Sequence, residues 1–115
     1  MTRRQVVRRE EKLDRLFHAL SDRTRRAIVS RLVGGPASVS DLAAPFRMTL
    51  PAVSKHIRVL ESAGVVSRKL DGGVRRCALI GAPFGEVADW IEAHRVLWTD
   101  ALASLARYAE RRDDE

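Results

Sequence analysis

The segment from Ser38 to Gly64 constrains the fold more than any other part of the chain, because it holds two helix starts and a helix stop in close succession. Ser38-Val39-Ser40-Asp41 has the Ser-x-x-acid spacing of a capping box, with Asp in place of the more usual Glu. It opens a short helix whose apolar positions are Val39, Leu42, Ala43 and Phe46, and Pro45 limits its length. After the Arg47-Met48 link, Thr49 caps another helix, with Pro51 in the first turn, where a missing N–H costs little, and Gly64 as its stop. Two helices joined by a turn of three to four residues form a helix-turn-helix, here residues 38–63. Around the later helix, at about 100° per residue, Val53, Ile57 and Leu60 lie together while Pro51, Lys55, Arg58 and Ser62 cluster opposite. The first face suits a core. The second is polar and basic, the partition required of a helix that enters a major groove about 12 Å wide.

The flanking sequence completes a recognisable order. Leu13, Leu16, Phe17 and Leu20 recur at helical spacing and predict a first helix over about residues 9–20, behind a basic N-terminal arm assigned to residues 1–12. Ser21 reads as the N-cap of a second helix, DRTRRAIVSRLV, with Ala27, Ile28, Val29 and Leu32 set among exposed arginines; Gly34-Gly35-Pro36 ends it. Beyond the helix-turn-helix, VVSRKL and VRRCALI flank Asp71-Gly72-Gly73, the signature of a β-hairpin over residues 65–80. A final helix spans residues 83–111. Along it Phe84, Val87, Ile91, His94, Trp98, Ala101, Leu105 and Tyr108 alternate three- and four-residue steps, a stripe suited to packing along another helix. A helix about 40 Å long offers more apolar face than so small a core needs, which points to dimerisation.

Composition narrows the function classes. A chain of 115 residues accommodates one domain, read as 1–115, and no run approaches the ~20 apolar residues of a membrane span. The charged start MTRRQVVRREEK lacks the apolar stretch of a signal peptide, so a cytoplasmic protein with no membrane partner is expected. The net charge of +6 conceals opposed parts: residues 1–33 carry +6, residues 34–80 carry +4 and residues 81–115 carry −4. The basic part coincides with the helix-turn-helix and hairpin, so an anionic partner, double-stranded DNA, is assigned there. No nucleophile–base set or glycine-rich phosphate loop stands out, and no enzymatic function is expected.

Taken together, LFHALSDRTRRAIVSRL, SVSDLA, MTLPAVSKHIRVLESAGVV and RRCAL resemble the ArsR family of bacterial winged helix-turn-helix transcriptional regulators over residues 13–80. The tail VADWIEAHRVLWTDALASL is similar to the last helix of a subgroup often found beside genes for START-like (SRPBCC) proteins. The resemblance implies a mainly α fold with a small β-hairpin as wing, and a homodimer built from the first and last helices. It further implies a repressor that binds an imperfect palindrome in a promoter. DNA contacts implied by the resemblance and the helix faces together are Thr49, Leu50, Pro51, Ser54, Lys55, His56 and Arg58, with Lys69, Arg75 and Arg76 on the wing. Leu50 and Pro51 replace polar residues common there and can meet only apolar base features such as thymine methyls. The dimer interface is assigned to Leu13, Leu16, Phe17, Val87, Ile91, His94, Trp98 and Leu105. A winged-helix protein-interaction module, with the last helix capturing another chain, is the competing reading.

Family members that sense metals use cysteine pairs near the third helix or Asp/His pairs on the last one. Here SVSDLAAPF has no cysteine, and Asp89, Glu92 and His94 lack a second histidine one turn on, where Leu97 and Trp98 stand. Four ligands at tetrahedral geometry are not in view, so neither metal nor cofactor is assigned, and an effector stays unidentified. His18 and His94 read as interface histidines, and His56 as either a phosphate contact or a packing residue. Cys77 neighbours Arg75 and Arg76, which would favour a thiolate; the competing role is a small buried hydrophobe.

Overall fold

The computed structural model describes residues 1–114. The elements run α1 (Arg3–Leu20), α2 (Arg23–Val33), β1 (Ala37–Ser38), α3 (Val39–Ala43), α4 (Leu50–Ser62), β2 (Val66–Asp71), β3 (Val74–Leu79) and α5 (Ala82–Asp113). The chain divides into a first unit, Met1–Phe84, and a second, Gly85–Glu115. In the first unit Leu16, Ile28, Leu42, Val53, Ile57, Leu60, Val65 and Cys77 are fully buried. They come from α1, α2, α3, α4 and the sheet, so one core fixes the helix-turn-helix against both flanking helices and the wing. Each such aliphatic side chain contributes about 1.5–3 kcal/mol by leaving water.

The helix starts have identifiable causes. Ser38 and Thr49 are N-caps, their hydroxyls accepting from the backbone N–H groups of Asp41 (3.1 Å) and Ala52 (3.2 Å). α2, however, is capped by Asp22, whose carboxylate accepts from the Arg25 N–H at 3.1 Å. Ser21, expected in that role, is instead the C-cap of α1 and donates its hydroxyl to the His18 carbonyl at 2.6 Å. The expected start of α1 near residue 9 is also corrected. Thr2 and Gln5 form a reciprocal capping box, with Thr2 N donating to Gln5 Oε1 at 2.8 Å, and the basic arm is helical from Arg3. Arg, Gln and Glu favour helix without an apolar stripe, so hydrophobic periodicity alone places the start too late.

The wing gains a strand that the sequence did not suggest. The sheet order is β1-β3-β2, all antiparallel, with Ala37 opposite Cys77 and Ser38 opposite Arg76. Ser38 therefore ends β1 and caps α3 at once. Between β2 and β3, Gly72 (φ 56°) and Gly73 (φ 82°) both adopt positive φ, forming the two-residue turn whose twist matches a hairpin. At the end of α4 the Gly64 φ of 77° allows the Val65 N–H to return to the Leu60 carbonyl at 3.1 Å, a glycine-dependent helix stop.

Arg25 is buried, against its expected place among exposed arginines. It shares a face with Ile28 and Leu32, and its guanidinium donates from Nε to the Ala19 carbonyl at 2.7 Å and from Nη2 to the His18 carbonyl at 2.9 Å. These acceptors belong to the last turn of α1, whose carbonyls lack the usual partners within the helix; the His18 carbonyl also accepts from Ser21. A third contact, Nη1 to His56 Nδ1 at 3.1 Å, reaches α4. The neighbouring Arg26 donates to the Leu20 carbonyl at 2.8 Å on the surface. Arg25→Ala, which takes this donor from the buried Ala19 carbonyl, should lower the unfolding free energy by about 1–3 kcal/mol in urea titrations. Arg26→Ala should cost under about 1 kcal/mol in the same measurement.

Candidate nucleic-acid interface

α4 presents the partition that its sequence implies. Val53, Ile57 and Leu60 are fully buried, whereas Leu50, Pro51, Lys55 and Arg58 are exposed and Ser54 is half-buried. Thr49 is exposed, but its hydroxyl oxygen is already engaged in capping the helix. Leu50 is 52% exposed, an apolar side chain standing half open to solvent at the helix start. The start of α4 also carries the positive end of the helix dipole, which favours an anionic partner.

His56 is placed differently from its neighbours. Its ring is half-buried, with Nδ1 3.1 Å from Arg25 Nη1 and 3.8 Å from Asp22 Oδ2. Facing a guanidinium donor, Nδ1 acts as acceptor, so the imidazole serves the helix packing through this nitrogen. The Asp22 carboxyl is held below its usual range, chiefly by the Arg25 backbone N–H. Of the two roles read for His56, the geometry supplies partners for the packing one.

The wing residues lie at different depths. Lys69 and Arg75 are exposed on β2 and β3, and Arg76, half-buried, has Nε 3.7 Å from Asp71 Oδ2 at the hairpin turn. Between α4 and the wing runs an open groove lined by Ser54, Arg58, Glu61, Arg68, Lys69, Leu70 and Arg75. Arg68 and Glu61 are absent from the residues picked out by sequence. They form an ion pair at 2.7 Å, side chains 19% and 33% exposed, that joins β2 to α4. The signal was available: counting in twos from buried Val66 puts Arg68 on the inward side of its strand. Arg25 carries an equivalent signal, standing one turn before Ile28 on the core face of α2.

On the residues assigned to dimerisation, Leu13 and Leu16 are buried within the protomer and belong to its core, and Phe17 is 39% exposed. In α5 Val87 is buried, while Ile91, Trp98 and Leu105 are exposed together with Trp90, Leu97, Leu102 and Tyr108. His94 stacks on Trp90 with centroids 3.9 Å apart and donates from Nδ1 to the Trp90 carbonyl at 2.8 Å. Glu92 is held by Arg95 through two bonds of 2.7 and 2.9 Å, and the Arg95 guanidinium keeps its carboxyl below the usual range. Among the described residues no three His, Cys, Asp or Glu side chains gather as a metal site would require, and no helix is long and apolar enough to cross a membrane.

This arrangement of helices, groove and wing has close counterparts among known proteins. Residues 20–68 match the family described as a helix-turn-helix domain. The HTH-type transcriptional regulator Rv2034 of Mycobacterium tuberculosis is 39% identical over 102 residues, 89% of this chain and 92% of that protein. A crystal structure of an ArsR family transcriptional regulator is 46% identical, covers 78% of this chain and 93% of its own, and superimposes with a TM-score of 0.73. The chain belongs to the ArsR family. It is a winged helix-turn-helix transcriptional regulator, a DNA-binding protein and not an enzyme. The transcriptional repressor SdpR of Bacillus subtilis is 38% identical over 55 residues, 48% of this chain and 61% of that protein.

In this ArsR-family protein the lone cysteine is structural. Cys77 is fully buried, and burial pushes its thiol above the ordinary value, outweighing the lowering by Arg68. The thiolate expected from its arginine neighbours in sequence does not follow, because the adjacent Arg76 side chain leaves the strand on the other face. Iodoacetamide should leave Cys77 unmodified in native protein over a period that fully alkylates it in urea, read by intact mass.

Proposed function

We propose that this regulator is a cytoplasmic homodimeric repressor that reads a palindromic promoter operator, one α4 helix in each of two successive major grooves about 34–36 Å apart. The observation that carries the reading is α4 itself, anchored by three fully buried aliphatic side chains while Lys55 and Arg58 stand exposed on the opposite face. Similarity to a protein named as a repressor supports the direction of control. Thr49, Leu50, Pro51, Ser54, Lys55 and Arg58 are the α4 contacts, with Leu50 and Pro51 offering apolar surface to thymine methyls. Lys69, Arg75 and Arg76 address phosphates or the neighbouring minor groove from the wing. His56 contributes by holding α4 against α2.

The second copy of the chain accounts for the apolar face of α5. Ile91, Leu97, Trp98, Leu102 and Leu105 are each more than half exposed in the protomer, a stripe long enough to pair with its equivalent. Phe17 adds apolar surface on α1. Two copies bring two basic helix-turn-helix surfaces to one duplex, the symmetry that a palindrome mirrors.

Two experiments test these statements. In gel shifts on the protein's own promoter, Lys55→Ala or Arg58→Ala should weaken binding and lower the log–log salt slope by about one, while circular dichroism stays native. Absence of a salt-sensitive, sequence-preferring complex with the parent protein would exclude the reading. In sedimentation, the parent should run at twice the chain mass and Trp98→Asp/Leu105→Asp should run as a folded monomer. A parent monomer at micromolar concentration would remove the second copy from the account.

A further inference from the structure

The groove between α4 and the wing contains one acidic side chain, Glu61, among Arg58, Arg68, Lys69 and Arg75. A carboxylate beside a phosphate backbone repels it, so a DNA-facing groove gains from having that charge cancelled. Arg68 does this from the opposite wall: its Nε lies 2.7 Å from Glu61 Oε1, and its Nη2 makes a longer contact, 3.4 Å, with the Ser54 carbonyl about two turns earlier on α4. Arg68 therefore touches α4 at two levels, and both contacts point from the wing to the helix that enters the duplex.

The place of Arg68 along its strand matters as much as its charge. It pairs across the sheet with Cys77, which is fully buried, and Val66 below it is buried as well. From Lys69 onward β2 is exposed. Arg68 thus stands at the last anchored rung of the hairpin, where a contact with α4 sets the distance between helix and wing for everything beyond it. We infer that Arg68 and Glu61 form a positioning pair that fixes the separation of the reading helix and the wing. The pair also silences the carboxylate of Glu61 in the groove, leaving Arg58, Lys69 and Arg75 to meet one phosphate strand. This inference rests on the DNA-binding reading above.

A brace without an electrostatic task would weaken DNA binding equally whichever partner is removed. The pair inferred here gives opposite signs on random duplex, because losing Glu61 releases a cation into the groove and losing Arg68 exposes an anion. Glu61→Gln should bind random duplex more tightly, with a log–log salt slope steeper by about one. Arg68→Gln should bind random duplex about tenfold more weakly at the same salt, as expected for an uncompensated carboxylate beside the phosphates. Both should reduce the preference for a duplex that the parent protein selects from a random pool, since the wing is no longer held in register. Glu61→Gln/Arg68→Gln restores the charge balance without the ion pair, so its random-duplex affinity should return to the parent's while the preference stays low.

Thermal melts accompany each measurement. If Arg68→Gln is unfolded, Glu61→Gln decides alone: parental affinity, slope and preference overturn the inference. Equal weakening by both single variants overturns it too. A parent that selects nothing from the pool defeats the DNA-binding reading itself, whereas a parent that selects and variants that keep its preference defeat only the positioning pair.

Discussion

One guanidinium holds the reading head together. Arg25 sits where α1 ends, α2 begins and α4 passes, and it supplies donors to two terminal carbonyls of α1 and to the imidazole of His56. A helix that stops inside a protein leaves carbonyls that water can no longer satisfy, and the next helix here provides the missing donors. Lysine could not do this, since a single ammonium lacks the planar fork needed to reach three acceptors in different directions. The aliphatic core sets how closely the helices approach. Arg25 adds directional contacts that tie α2 to α1 and, through His56, to α4, which the core contacts do not supply.

The sequence was most legible where the signals were local or periodic. The caps at Ser38 and Thr49, the stop at Gly64, the Gly72-Gly73 turn and the two faces of α4 all follow from chemistry within a few residues, and the structure has each. It was less legible where a side chain acts across the fold. Arg25 reads as surface charge and Arg68 is not singled out, because nothing nearby in sequence announces the α1 carbonyls or Glu61 as partners. The β1 strand is two residues long and pairs with residues nearly forty positions later, so no pattern of its own marks it. For the interface with DNA, helix-face reasoning separated Lys55 and Arg58 from the core correctly but could not tell which way the His56 ring turns at the boundary between faces.

Charge is distributed to match this division of labour. The unit ending at Phe84 carries +10, more than the +6 of the whole chain, and the exposed apolar side chains of α5 lie in a segment with twice as many acidic as basic residues. In the proposed homodimer, repulsion between the two acidic segments is tolerable where burial of aromatic and aliphatic surface outweighs it. On the basic unit, by contrast, the self-repulsion of many arginines is relieved partly by their service as backbone donors, as Arg25 and Arg26 show.

Ser38 closes the sheet on one side and starts α3 on the other. The wing and the helix-turn-helix are consequently welded at a shared residue as well as bridged by Arg68, and neither can swing without the other. On the proposed set of DNA contacts, new operator preferences would arise by exchanging the side chains displayed at residues 49–51, 55, 58 and 69–75, because the scaffold leaves little freedom to re-aim the elements that carry them.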